Sequence, residues 1–112
     1  MRSAIVWLLT VLLAPLGALA EDAVPAVYSG QYFYNFENAN FTLDGADECW
    51  VVKGDMAKAE LPAKTEGSVP WGTAHVVVRG VLGPAGHYGN LGACTHMLKV
   101  LELLEVTDKK AN

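Results

Sequence analysis

Five side chains in this sequence have the chemistry to bind a soft metal or to act as nucleophile and base: Cys49, Cys94, His75, His87 and His96. Thiolate with imidazole suits copper(I) or zinc. Cys94-x-His96 would put two donors on the same side of an extended chain, because side chains alternate along a strand. Against a metal centre, no Cys-x-x-Cys or His-x-x-x-His pair occurs, and a bond between Cys49 and Cys94 would consume both thiolates. The metal-handling alternative, a small periplasmic copper or zinc protein, therefore needs Cys49, His87, Cys94 and His96 as free ligands.

Catalysis has less to work with. Ser29 and Ser68 lack the Gly-x-Ser-x-Gly setting of a nucleophile elbow. Glu37, Asp44, Asp47 and Glu48 could supply paired carboxylates, but three of the four flank a turn and read as solvated surface. The expectation is a protein that is not an enzyme and needs no cofactor.

Gly83-Pro84-Ala85-Gly86-His87-Tyr88-Gly89-Asn90-Leu91-Gly92 has glycine at every third position but neither the Lys-Ser/Thr ending of a phosphate loop nor the dinucleotide spacing. It reads as a wide connection needing several positive φ angles, with His87, Tyr88 and Asn90 as candidate binding residues. Tyr28, Tyr32, Tyr34, Phe36, Trp50, Trp71 and Tyr88 are many aromatics for a short chain. Most must fill a core; Trp50 and Trp71 are candidates to line a groove for a protein, peptide or glycan. Asn40-Phe41-Thr42 fits the N-glycosylation pattern inside a predicted strand, and matters only in a eukaryote.

The elements that must position these residues begin with an address. Arg2, the apolar stretch Ala4 to Leu13 and the small residues Ala18-Leu19-Ala20 predict a secretory signal peptide over residues 1–20. Its removal leaves seven basic against twelve acidic residues, a formal charge of −5, which makes nucleic acid a poor partner. Stable membrane insertion is not expected after cleavage, and the mature chain is placed in the periplasm or outside the cell. Two cysteines exported to an oxidising compartment predict a Cys49–Cys94 disulfide, a useful staple in a domain this small.

Residues 21–26 read as a flexible leader, 27–106 as the domain and 107–112 as a polar tail. From Val27 the apolar residues alternate through Tyr28, Gly30, Tyr32, Tyr34 and Phe36, then resume out of phase at Ala39, Phe41 and Leu43. Period two predicts a strand, and the slip predicts a β-bulge that bends it. Asp44-Gly45-Ala46-Asp47 is a turn into a second strand over 48–53. Met56 to Leu61 predicts a helix of one or two turns before Pro62. His75 to Leu82 is dense in β-branched residues and predicts a strand. Thr95 to Val106 is ambiguous: Met97, Val100, Leu101 and Leu104 fit a helical stripe, whereas Leu98, Val100, Leu104 and Val106 fit a strand face. The need to pair the 75–82 strand favours strand.

This order predicts a mainly β protein, a small OB-like antiparallel barrel of about five strands with one short helix. Gly30, Glu37, Phe41, Trp50 and the run Val76-Val77-Val78-Arg79-Gly80 resemble small OB-like domains of bacterial envelope proteins, such as the one at the end of a copper-resistance and envelope-stress lipoprotein. The resemblance implies a binding or interaction module of the bacterial envelope. The chain departs from that lipoprotein in lacking a lipid-anchoring cysteine, a second domain and a Cys-x-x-Cys pair, so stress signalling is not implied.

Overall fold

The computed structural model describes residues 24–112, so the signal peptide expected over residues 1–20 lies outside the described residues. Five strands close into a ring in the order β1-β2-β3-β5-β4. They are β1 (Ala26–Tyr34), β2 (Ala39–Leu43), β3 (Cys49–Lys53), β4 (Gly72–Leu82) and β5 (His96–Ala111). All neighbours are antiparallel except β3 and β5, which run parallel from Trp50 opposite His96 to Lys53 opposite Lys99. The barrel is therefore mainly β with five strands, as expected, but not wholly antiparallel.

The phase slip after Phe36 is a hairpin and not a bulge. Asn35 Oδ1 accepts hydrogen bonds from the backbone N–H groups of Glu37 (3.0 Å) and Asn38 (2.8 Å), and the Asn35 N–H donates to the Asn38 carbonyl (3.0 Å). This local asparagine bonding turns the chain back on itself. β2 then pairs with β1, Tyr34 opposite Ala39 and Gly30 opposite Leu43. Gly30 is required there: a Cβ would overlap the Thr42 carbonyl oxygen and come within 2.7 Å of the Phe41 ring.

β4 alternates without a fault, burying Ala74, Val76, Val78 and Gly80. Its partner β5 is a strand, which settles the helix–strand ambiguity, but it carries three irregularities. Val77 lies opposite Glu105 and Val78 opposite Leu103, so Leu104 is an extra residue. Arg79 lies opposite Glu102 and Gly80 opposite Val100, so Leu101 is another. A third lies between the Thr73–Lys110 and His75–Thr107 pairs, where Asp108 has a φ of 52°. Bulges of this kind bend a strand and raise its twist, and here they curl β5 around the barrel. The inward residues are accordingly Leu98, Val100, Leu103 and Val106, with Leu103 taking the place expected of Leu104.

Met56 to Leu61 makes a single 3-10 turn, Ala57–Ala59, in place of a helix. It seats Met56 and Ala59 in the core and is started by Asp55 Oδ1, which accepts from the Ala57 N–H at 3.0 Å. Tyr32, Phe41, Val76, Val78 and Leu98 form the fully buried centre. Among the described residues no helix is long and apolar enough to cross a membrane.

Candidate binding face

Cys49 and Cys94 are joined by a disulfide with their Cα atoms 4.7 Å apart. It lies where the parallel β3–β5 ladder starts, beside the Thr95 N–H to Cys49 carbonyl bond of 2.9 Å. Both sulfurs are committed, and the four residues of the metal alternative are not gathered. His96 packs its ring on Trp50 with centroids 5.8 Å apart, and His87 is exposed in the β4–β5 connection. Among the described residues no group of three or more His, Cys, Asp or Glu side chains is placed to hold a metal ion.

The β4–β5 connection is narrow where the glycines suggested a wide loop. Gly83 N–H donates to Met97, Gly86 N–H to Thr95, and Tyr88 and Cys94 exchange both backbone bonds, all at 2.9 Å. Only Gly89 and Gly92 of its four glycines have positive φ, and between them Leu91 adopts φ 57° while fully exposed. The Tyr88 hydroxyl donates to the Pro84 carbonyl at 2.9 Å, so this side chain is spent on its own loop. Asn90 Nδ2 donates to Glu37 Oε1 at 3.0 Å, tying the connection to the β1–β2 turn.

Trp50 belongs to the core. It stacks on Phe41 (centroids 5.6 Å) and meets the edge of Tyr28 (5.2 Å). Of the five candidate binding residues, His87, Tyr88 and Asn90 share the β4–β5 connection, Trp50 is buried in the core, and Trp71 lies in the connector just before β4.

Trp71 does face solvent, in company the sequence did not suggest. Phe36, Val69 and Trp71 are 72%, 55% and 50% exposed and line one cleft of about 350 Å³ with Asn35 and Ser68. A second compartment of about 280 Å³ shares Asn35, Phe36 and Val69 and reaches inward to Tyr32, Tyr34 and Glu60. The walls are held by backbone: the asparagine-bonded turn carries Phe36, Ser68 Oγ donates to the Thr65 carbonyl (2.6 Å), and Asn112 N–H donates to the Trp71 carbonyl (2.8 Å). At the inner end the Tyr32 hydroxyl donates to Glu60 Oε2 at 2.6 Å, and Tyr34 accepts from the Leu61 N–H at 2.8 Å. Burial, and then the bond to Glu60, push the Tyr32 hydroxyl far above its ordinary pKa, so it stays a neutral donor. Phe36 was hidden from sequence reasoning because it continues the inward alternation of β1; the Asn35-x-x-Asn38 turn that swings it outward was the available signal.

A second cluster lies on the outer face of the barrel. Ser29 Oγ donates to Asp44 Oδ2 at 2.7 Å, and His75 Nε2 lies 3.1 Å from both Asp44 oxygens and 3.4 Å from Ser29 Oγ. A relay needs serine and carboxylate on opposite ring nitrogens; here one nitrogen serves both. The Ser29 bond, and next the His75 bond, hold Asp44 below the usual carboxylate range.

No family model matches the chain, and no curated protein or solved structure matches it either. The chain forms a five-stranded, disulfide-tied β-barrel with an aromatic cleft at its surface.

Proposed function

We propose that the mature chain is an exported, non-enzymatic binding module of the bacterial envelope, OB-like in fold, whose ligand face is the Phe36–Val69–Trp71 cleft. The observation that carries this reading is the exposure of three large apolar side chains on bonded turns around one cleft. A soluble domain rarely leaves such a group uncovered without a partner. The strand order, with its single parallel pair, supports the OB-like reading, as does the contact between the β1–β2 and β4–β5 connections, the loops that flank the ligand face in such barrels. A disulfide suits periplasmic or secreted residence. The single-nitrogen wiring of Ser29, Asp44 and His75 supports a binding role over a hydrolytic one.

Photo-crosslinking tests the assignment. A photoreactive phenylalanine analogue at position 36 should form a specific adduct with an envelope component, identified by mass spectrometry, whereas the same analogue at the exposed position 104 should not. Equal labelling from both positions, or none from position 36, would remove the cleft as the ligand face.

A further inference from the structure

Glu60 is the one charged side chain among the residues lining the two compartments of the cleft. It is half-buried, and among the described residues no cation pairs with it. Tyr32 occupies Oε2, while Oε1 takes no hydrogen bond from the described residues. A carboxylate partly withdrawn from water and left without a counter-charge is costly, and a cation placed beside it recovers that cost. Phe36 lines both compartments and Trp71 the adjoining one, and aromatic ring faces attract cations. Val69 and Pro70 complete a wall suited to methylene or methyl groups. An anion would meet Glu60 unfavourably, and a neutral sugar would leave its charge uncompensated.

We infer that the cleft binds an ammonium group carried on an apolar stem, with Glu60 as counter-charge and Phe36 and Trp71 as aromatic walls; this rests on the cleft being the ligand face. Two sources share that chemistry: a small free quaternary ammonium compound, and a lysine side chain of a protein.

The test follows the Trp71 indole resonance by NMR in the exported protein, with the buried Trp50 indole as internal reference. The probes are choline, Nα-acetyl-lysine methylamide and the neutral carbon analogue of choline in which tert-butyl replaces trimethylammonium. A cation should shift Trp71 saturably, and the neutral analogue should bind about tenfold more weakly than choline. Stronger binding of choline would mark a free small cation as the source, and stronger binding of the lysine derivative a protein side chain. Glu60→Gln keeps an oxygen acceptor for Tyr32 but removes the charge, and should weaken cation binding about tenfold. Trp71→Ala, at an exposed position, removes that reporter, so its affinity is read by isothermal titration calorimetry, and it should also be weakened with the fold intact. A neutral analogue as good as choline, undiminished affinity in Glu60→Gln, or no shift with either cation would each overturn the inference. Absence of a shift alongside a specific adduct from position 36 would do so while leaving the ligand face in place.

Discussion

Asp44 ties three parts of the barrel together, and its titration reports the tie. The carboxylate accepts from Ser29 on β1 and lies against His75 on β4, which holds its pKa below the ordinary 3.8. A carboxyl group depressed in the folded state contributes stability that is present above its unfolded pKa and lost as pH falls through the folded value. Asp44 therefore favours folding above about pH 4 and loses that contribution in more acidic solution. Ser29→Ala and His75→Ala should each raise the Asp44 pKa, since the serine bond and the histidine both lower it; carboxyl-carbon NMR titration of the two variants checks this, and an unmoved Asp44 in either would contradict the contact. Leu91 presents the opposite case, a non-glycine residue held in left-handed backbone with its side chain in water. Leu91→Gly should raise stability by about 1 kcal/mol in chemical denaturation, because the strain outweighs any packing lost. None of these contacts was legible in the sequence, because Ser29, Asp44 and His75 are brought together only when β1, the β2–β3 turn and β4 meet.

At the scale of the element, β5 explains its own ambiguous pattern. A strand repeats every two residues, but each bulge adds one, so the inward residues Leu98, Val100, Leu103 and Val106 fall two and then three apart. That spacing imitates a helical stripe, and the regular β4 beside it, with period two throughout, was read without difficulty. The bulged strand and the helical stripe differ over which of two adjacent leucines is packed. Leu103→Ala should cost about 1–2 kcal/mol, at the low end for a partly buried leucine, and Leu104→Ala should stay within about 0.5 kcal/mol. Urea unfolding of the two variants decides it, and a larger loss at Leu104 would contradict the register. The β1–β2 hairpin was missed for a related reason: a turn of few residues and a bulge both shift the phase, and only the asparagine bonding at Asn35 separates them.

For the molecule as a whole, closure depends on one short parallel ladder. The parallel β3–β5 seam spans only Trp50 to Lys53, and the disulfide sits beside its first pair. Closing a loop of this sequence separation is worth roughly 4 kcal/mol on the chain-entropy account, enough to matter in a domain this small. The barrel class, the strand count and the cysteine pairing were legible because alternation, turn residues and the cysteine pair are local or compositional. The cleft was not, because it joins Phe36 from the β1–β2 turn to Val69 and Trp71 from the connector before β4. Of the cleft residues the sequence pointed only to Trp71, and it pointed as well to His87 and Tyr88, whose loop is bonded to itself. The most direct measurement therefore compares two double variants of the exported protein, following thermal melting and ligand uptake from envelope extract by native mass spectrometry. Phe36→Ala/Trp71→Ala should melt close to the wild type and lose uptake. His87→Ala/Tyr88→Ala should lose about 1–2 kcal/mol of stability, about 4–16 °C in Tm, and keep uptake below its melting range. Uptake lost from the loop pair and retained by the cleft pair would contradict the account.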